Sequence, residues 1–440
     1  MKNLFLELAL HATALARGSE VVLLNFSAED STFIRFNRAR VRQPIAVSQA
    51  FLDVTLIHGG RRDSTRLTLS GAIEADRGAL GAAIDAMRRD IDTLPVDPYL
   101  LYSTEAIVAD TERRGRLPQA AEAIDDVLAA AGDVDLVGIL ASGPIQRGFA
   151  SSLGSRQWHA VDSFLLDWSI YHAGDKAVKG SWGGSTWERA ELLRRMASVR
   201  EKVPLIARPP RTIEPGEYRA YLAPAALDEL LSMLGWGGVS AKAQRTQQSA
   251  IQQLVHGDVA LSPRIQLRED IAGGLAPAFD AAGFPRPPAV DLIRDGRHSG
   301  ALTSARTARE YDIAPNGAND EEAMTSLHLA AGELAASDVL AALDTGIYVG
   351  NLWYLNWSDR SSCRITGMTR FATFWVENGH IVAPLNVMRF DDSLYRVLGT
   401  RLEHLTRDSE WILSGDTYQQ RSVQTSRVPG ALVAGLTLTL

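Results

Sequence analysis

The run Val203-Pro204-Leu205-Ile206-Ala207-Arg208-Pro209-Pro210-Arg211 divides the chain, and Glu214-Pro215-Gly216 follows it closely. Each proline fixes its own φ and lacks a backbone donor, so this stretch favours neither a helix interior nor a central strand. A chain of 440 residues is also too long for one ordinary hydrophobic core. The sequence therefore predicts two domains, residues 1–203 and 218–440, joined by a proline-rich linker over residues 204–217.

Before the linker, a helical pattern is followed by strand patterns. Residues 4–16 carry apolar side chains at helical spacing, and Gly18 is a plausible helix end. Runs rich in Val, Ile, Phe and Thr then extend from Val21 to Leu69, with a turn at Gly59-Gly60. Further helices are predicted at residues 77–90, 119–131 and 188–199. This half is expected to be an α/β domain with a largely antiparallel sheet.

Two other segments of this half have strand-like composition. Residues 136–140 form a short apolar run, and residues 149–155 form another. Aromatic residues collect between Trp158 and Trp187 and are interleaved with Gly180, Gly183 and Gly184. A strand pair joined by a glycine-rich turn is the simplest interpretation of that aromatic region.

After the linker, Tyr218 to Leu222 favours a strand, and Pro224 stands where the first turn of a helix tolerates proline. The helix that follows has an apolar stripe at spacings of three and four residues, made of Leu227, Leu230, Leu231 and Leu234. From Ile265 onward the pattern is mainly strand and turn, with one helix near residues 338–343. The predicted fold class is α+β, with a β-rich C-terminal domain.

Composition excludes several classes of protein. Hydrophobic residues make up 46% and charged residues 22%, the balance of a globular chain, and the net charge is -7. Lys and Arg are dispersed, so we expect no nucleic acid partner. The N-terminus is a poor secretory signal, and no apolar run approaches the roughly 20 residues of a membrane span. The expected location is the cytoplasm, with no membrane association.

Candidate reactive residues are few. No two of the nine histidines lie within a helical turn or two of each other, so none forms a local zinc-binding pair. The single cysteine, Cys363, lacks any visible partner base, and a buried or incidental thiol is the favoured interpretation. The pair Asp391-Asp392 could bind a cation, but a solvated pair at a turn is favoured.

Several segments, in this order, resemble the TldD/PmbA metallopeptidase family, once called modulators of gyrase. They are Ile34 to Gln43, Tyr218 to Leu231, Phe279-Asp280-Ala281-Ala282-Gly283-Phe284-Pro285, Leu292 to Gly296, Gly346 to Val349, Phe374-Trp375-Val376-Glu377-Asn378-Gly379, and Pro429 to Val433. The sixth matches the family's Phe-Trp-(Ile/Val)-Glu-Asn-Gly strand and turn. The second resembles the start of the C-terminal domain in the TldE-type branch.

The resemblance implies a non-catalytic role. The catalytic TldD branch carries His-Glu-x-x-x-His on the first helix of the C-terminal domain, and a late cysteine as a further zinc ligand. The corresponding helix here, residues 227–236, has no histidine, and Cys363 precedes the Phe-Trp-Val-Glu-Asn-Gly segment. We therefore expect no catalytic residues, no metal ligands and no cofactor in this chain, with zinc in a TldD-type partner.

The family works as a two-subunit enzyme that threads unfolded peptides into a chamber, so this chain is expected to supply chamber wall and partner interface. Candidate substrate-channel residues are Trp357, Ser358, Asp359 and Arg360, for which an ordinary exposed turn is an equal alternative. The aromatic runs at residues 351–357 and 158–187 are unusual for the family, and exposed aromatics often mark interfaces or grooves.

Other functions stay open at this point. The chain could be a stand-alone homodimeric peptide-binding protein, or a hydrolase that uses a non-local metal site or Cys363. Direct action on DNA topology follows only from the family's old name, and the acidic charge balance disfavours it.

Overall fold

The computed structural model describes residues 1–174 and 176–439. The N-terminal half contains α1 Lys2–Leu15, β1 Val21–Asn37, β2 Arg40–His58, β3 Arg61–Thr68, α2 Ile73–Asp90, β4 Val108–Arg113, α3 Ala120–Ala131, β5 Asp135–Ser151, β6 Arg156–Ala173, β7 Lys176–Gly184, α4 Arg189–Arg200 and α5 Val203–Ile206. The predicted helices before the linker are present, and the prediction of an α+β fold is confirmed.

The C-terminal half is richer in strands. It contains β8 Gly216–Leu222, α6 Pro224–Ser232, α7 Ala241–Arg245, α8 Gln252–His256, β9 Leu267–Glu269, β10 Val290–Arg294, β11 Arg297–His298, α9 Ala305–Tyr311, β12 Ser326–Leu329, α10 Val339–Leu343, β13 Gly346–Asp359, β14 Arg364–Glu377, β15 His380–Pro384, β16 Arg389–Ser393, β17 Leu402–Leu413 and β18 Thr425–Leu438. The short helices α7, α8 and α9 were not predicted, because five to seven residues carry little periodicity.

The first sheet has seven strands in the order β3-β2-β1-β5-β6-β4, and β7 also pairs with β6. All its pairings are antiparallel except that of β4 with β6. The long hairpin of β1 and β2 turns at Arg38 and Ala39, whose φ values are 52° and 48°. Helices α1 and α2 cover one face with buried side chains such as Phe5, Leu8 and Leu80.

Two strand predictions in this half need correction. The run at 136–140 and the first residues of the run at 149–155 lie in one long strand, β5, which ends at Ser151, and residues 152–155 form the turn before β6. The turn between β6 and β7 lies around Gly174, whereas Gly180, Gly183 and Gly184 lie inside β7. A strand accepts glycine where a neighbouring group approaches the backbone closely, which sequence alone did not reveal.

The second sheet has eleven strands in the order β11-β10-β9-β12-β18-β16-β14-β13-β8, and β15 and β17 pair with β14 and β18. An additional pairing of β18 with β8 closes a ring of strands through β16, β14 and β13. The largest core cluster lies here, between these strands and the inward side chains of α6 and α8.

The two sheets share core residues. Phe374 and Ala372 of β14 belong to the same buried cluster as Trp168 of β6 and Trp187. The turn at residues 279–285 also contacts the first sheet, where Asn25 and Gln157 donate side-chain hydrogen bonds to its carbonyl groups. The proline segment itself includes α5, so its first residues are helical rather than irregular.

None of the helices within the described ranges 1–174 and 176–439 is both long and apolar enough to cross a membrane.

Candidate functional site

Helix α6 is the first helix of the C-terminal half, the position at which the resemblance implies a zinc motif in the catalytic branch. Pro224 occupies its first turn, where a missing backbone donor costs nothing. Its buried positions are all apolar: Ala226, Leu227, Leu230 and Leu231. These side chains pack into the core of the second sheet, so the inward face of α6 presents no group that could bind a metal ion.

The polar residues of α6 are acidic. Asp228 is half-buried, and its Oδ1 atom is buried without a hydrogen-bond partner. Burial raises the pKa of Asp228 from 3.8 to about 6, and the neighbouring Ser426 hydroxyl only partly opposes this effect. Glu229 is exposed.

Zinc in peptidases needs three protein ligands around one point. Across residues 1–174 and 176–439, no group of three or more His, Cys, Asp and Glu side chains is arranged to hold a metal ion. The residues on and around α6 therefore do not fit a zinc site of the catalytic type.

Cys363 lies in the core rather than at a surface. Its thiol is fully buried among apolar side chains that include Leu231, Leu254 and Leu394. Burial raises the pKa of Cys363 to about 12, so the thiolate needed for nucleophilic attack is scarce at neutral pH. The interpretation of Cys363 as a buried thiol agrees with this position.

The four predicted channel residues lie together where β13 ends and turns toward β14. Trp357 packs half-buried against the core of the second sheet, and its indole nitrogen is buried without a partner. Ser358 donates a hydrogen bond to Asp391 at 3.0 Å, and Arg360 donates one to the carbonyl of Trp236. Ser358 and Arg360 thus have protein partners while remaining exposed.

Asp359 closes the turn. Its carboxylate accepts hydrogen bonds from the backbone and the hydroxyl of Ser361 at 3.0 and 2.7 Å, and from the Ser362 hydroxyl. The Ser362 hydrogen bond is the main reason that the pKa of Asp359 is lowered. The turn is therefore held in one conformation by its own side chains.

The prediction of a solvated Asp391-Asp392 pair is wrong. Both residues lie in β16, and Asp392 is 3% exposed. Asp392 accepts hydrogen bonds from the backbone of Thr437 and Ser393, while Asp391 pairs with Arg364. These carboxylates form hydrogen bonds and ion pairs with residues that lie far away in the chain. Sequence spacing therefore could not reveal their roles.

The hairpin of β13 and β14 exposes a cluster that we call the aromatic platform, made of Trp353, Tyr354, Arg370 and Phe371. Trp353 and Tyr354 are 45% and 77% exposed, and their ring centroids lie 5.3 Å apart. The Arg370 guanidinium lies 4.2 Å from the Trp353 ring centroid, a cation–π contact. The aromatic composition of residues 351–357 was the signal for this cluster.

A bulge creates the platform. The pairing of β13 with β14 shifts between Trp353 and Asn356, and Tyr354 has a φ of 57°. β8 pairs with β13 only at residues 347–349, so no strand in the described ranges covers the outer edge of β13 beyond Val349. A strand edge with which no other strand pairs offers backbone groups to an extended peptide.

The other aromatic region is different. Trp158, Trp168, Trp182 and Trp187 are all at most 6% exposed and form part of the core. The suggestion that residues 158–187 mark an interface or groove is therefore wrong.

A second polar cluster was not predicted. Arg268, His328 and Arg427 are paired across β9, β12 and β18, and Trp411 of β17 pairs with Arg427. His328, Arg427 and Trp411, together with Asp270, border a small cleft beside Gly273 and Gly274. Sequence gave no sign of it, because its members come from four strands that lie far apart in the chain.

These two sheets, with a ring of strands in the C-terminal half, define an α+β protein. Residues 215–440 match the model of the PmbA/TldA metallopeptidase C-terminal domain, which covers just over half of the chain. The chain belongs to the TldD/PmbA family.

Solved structures of the same fold extend the match to the whole chain. TldE from Thermococcus kodakarensis has a TM-score of 0.79 at 12% identity, covering 99% of this chain and 100% of that one. A proposed modulator of a DNA gyrase from Thermotoga maritima has a TM-score of 0.76 at 17% identity, with the same coverage.

A third similar structure, a proposed modulator of DNA gyrase from Bacteroides thetaiotaomicron, has a TM-score of 0.72 at 16% identity and covers 100% of this chain and 98% of its own. Comparison with curated proteins gives no match.

Proposed function

We propose that this chain is the non-catalytic, TldE-type subunit of a two-component zinc peptidase that degrades or trims unfolded peptides. One observation carries the proposal: the inward face of α6, where the catalytic branch holds its histidines, consists only of Ala226, Leu227, Leu230 and Leu231. The similarity in fold to a TldE protein supports the same assignment.

In this proposal the catalytic partner supplies the zinc ion and the general acid/base residue. This chain supplies part of the chamber wall and the surface that binds the partner. The uncovered edge of β13, the aromatic platform, and the turn of Trp357, Ser358, Asp359 and Arg360 are our candidates for contact with peptide. An extended peptide can pair with such an edge through its backbone, with little dependence on its sequence. Exposed aromatic rings would add apolar contact that is equally tolerant of sequence.

The first test combines metal analysis with reconstitution. The purified chain is dialysed and its zinc measured by elemental mass spectrometry, and then mixed with a family member that carries His-Glu-x-x-x-His. We expect zinc well below one atom per chain, no peptidase activity from this chain alone, and activity on an unfolded peptide only in the mixture. Zinc near one atom per chain, or a stable homodimer that does not bind the catalytic subunit, would overturn the proposal.

A second test addresses the peptide-contacting surface. Replacing Trp353 by Ala and Tyr354 by Ser removes most of the exposed aromatic area of the platform. We expect peptide turnover by the mixture to fall on the order of tenfold, because such anchors dominate contact energies. The control is Tyr418→Ala, which removes another exposed aromatic ring, 85% accessible, outside the platform. Equal turnover by both variants would exclude the platform from the peptide path.

A further inference from the structure

The end of the hairpin formed by β1 and β2 carries a local excess of positive charge. Residues 31–52 contain no Asp, Glu or Lys, whereas the whole chain has a net charge of -7. Within the described residues 1–174 and 176–439, the exposed arginines of this segment take part in no ion pair and no side-chain hydrogen bond. They are Arg35, Arg38, Arg40 and Arg42, and we call this set the arginine tip.

The fold holds the arginine tip in a fixed position. Ala39 donates a backbone hydrogen bond to the carbonyl of Leu136 on β5 at 3.0 Å. Ala39 and Val41 also pack, half-buried, against the core cluster that the two sheets share. Arg38 and Arg40 alternate with these two residues and are exposed. A backbone held in this way loses little conformational freedom when a partner binds.

Backbone geometry alone does not explain an arginine at the turn. Arg38 and Ala39 both lie in the left-handed region, with φ values of 52° and 48°. Asn-Gly or Gly-Gly is the usual pair in a two-residue turn of this kind, because glycine adopts such a φ without strain. The pairing of β1 with β2 also skips Arg42, and a bulge of this kind re-aims a side chain.

The segment of β2 beside the arginine tip is open on both faces and along its outer edge. All residues from Arg42 to Ala46 are exposed, although successive side chains of a strand point to opposite faces. β3 pairs with β2 only from Phe51 to His58, so no strand of the described ranges pairs with the outer edge of residues 40–49. Ile45, which is 41% exposed, adds an apolar side chain to this surface.

The charges discriminate between possible partners. Two copies of this chain that met hairpin to hairpin about a twofold axis would bring like charges together. A nucleic acid would approach a chain whose overall negative charge repels polyanions, and so few arginines neutralise few phosphates. A short acidic segment of a protein requires only local complementarity. Arg38, Arg40 and Arg42 recur at every second residue, and an extended segment presents its side chains to one face with the same period.

We propose that the arginine tip binds an extended segment of a partner protein that carries acidic side chains at alternate positions. The guanidinium groups donate charge-assisted hydrogen bonds to the carboxylates of that segment. Ile45 contacts an apolar residue of the same segment. The proposal goes beyond the proposed function, because its ligand is defined by charge and does not depend on the zinc content or activity of any partner.

The test uses the full chain alone and fluorescently labelled probes. Binding of an octapeptide of alternating Glu and Thr, of its counterpart with Gln in place of Glu, and of octathymidylate is measured by anisotropy in about 50 mM NaCl. We expect the Glu peptide to bind at least about tenfold more tightly than the Gln peptide, since several weak ion pairs act together. Raising NaCl to about 500 mM should weaken its binding about fivefold or more, because salt screens exposed charges.

Matched variants locate the binding. The combined variant Arg38→Gln, Arg40→Gln and Arg42→Gln should weaken binding of the Glu peptide about tenfold and leave the Gln peptide unchanged. The control makes the same change in net charge at exposed arginines of the C-terminal half and should weaken binding less than about twofold. It combines Arg245→Gln, Arg264→Gln and Arg309→Gln.

A charge-preserving variant separates loss of charge from loss of structure. Arg38→Lys, Arg40→Lys and Arg42→Lys together should keep the affinity for the Glu peptide within about threefold of the parent, because three positive charges remain. Equal losses in the Lys and Gln variants would show that charge does not determine the binding.

Two further outcomes would overturn the proposal. Equal affinity for the Glu and Gln peptides, or equal losses in the hairpin variant and the C-terminal control, would mean that the arginine tip is not a docking surface. Octathymidylate binding as tightly as the Glu peptide would replace the acidic protein segment by a nucleic acid.

Discussion

Two regions of this chain are rich in aromatic residues, and they differ in whether their rings are buried or exposed. Residues 158–187 bury their tryptophans, whereas residues 351–357 expose Trp353 and Tyr354. In the first region β7 carries glycines that leave room for rings: a Cβ at Gly180 would lie 2.6 Å from the Trp168 ring. In the second region a bulge turns two successive aromatic residues outward.

The difference teaches that aromatic composition alone does not indicate a surface. What matters is whether neighbouring positions provide space for the rings inside the fold. Glycine within a strand indicates close approach, and a left-handed residue within a strand indicates a bulge.

The largest effect on stability is expected when a buried tryptophan ring of the first region is removed. Trp168→Ala should lower the free energy of unfolding by about 3–5 kcal/mol, because it leaves a large cavity at a side chain that is 1% exposed. Trp353→Ala is the matched control and should change stability by about 0.5 kcal/mol or less. Urea unfolding followed by circular dichroism measures both, and similar losses would show that the two regions do not differ as described.

The next largest effect comes from filling the space that glycine leaves. Gly180→Ala should destabilise the protein by about 1–3 kcal/mol, since the new methyl group meets Trp168 and Val199 within 2.8 Å. Gly78→Ala is the control, because Gly78 lies in α2 with nothing within 4 Å of an added Cβ. That control should be neutral or stabilise by up to about 1 kcal/mol. A stable Gly180→Ala variant would mean that the rings can move aside.

The contrast between buried and exposed groups extends to carboxylates. Asp228 has its pKa raised from 3.8 to about 6 by burial. Between these two values the folded state holds a proton that the unfolded state has released, so the stability contributed by this group falls as pH rises through the interval. Above about pH 6 the loss is complete and constant.

Asp228→Asn removes this titration. The variant should be more stable than the parent by about 1–2 kcal/mol at pH 7.5, and the gap should close as pH falls to about 4. Urea midpoints at pH 4, 5, 6 and 7.5 measure the gap. Asp133→Asn, at a side chain that is 97% exposed, should show no such trend. A gap that is independent of pH would mean that Asp228 is charged in the folded state throughout.

The sequence predicted the regular elements well wherever periodicity ran over many residues, as in the helices 77–90 and 119–131. It missed α7, α8 and α9, which are too short to show a period. It also misplaced the turn between β6 and β7, because glycines inside a strand resemble turn residues. The strand order of the sheets was not predictable, since residues that pair, such as Leu222 and Ala431, lie far apart in the chain.

The candidate site was predicted only in part. The apolar face of α6 was visible from its leucine spacing, and the aromatic run of residues 351–357 pointed to the platform. The polar cluster of Arg268, His328 and Arg427 could not be predicted, because three strands bring together residues separated by up to about 160 positions. Asp391 and Asp392 were misjudged for the same reason: their partners come from other strands.

The smallest expected change in stability comes from substitutions at the bulge that exposes the aromatic platform. Tyr354 has a φ of 57°, a conformation that costs a side-chain-bearing residue about 1 kcal/mol and glycine almost nothing. Because Tyr354 is 77% exposed, Tyr354→Gly loses little packing and should be neutral or stabilise by about 0.5 kcal/mol. Trp353→Gly, one residue earlier and without a left-handed φ, should instead destabilise by about 0.5–1 kcal/mol. Thermal unfolding of the two variants side by side gives the comparison. If both destabilise equally, Tyr354 does not occupy the left-handed conformation in solution, and the outward turn of the platform needs another cause.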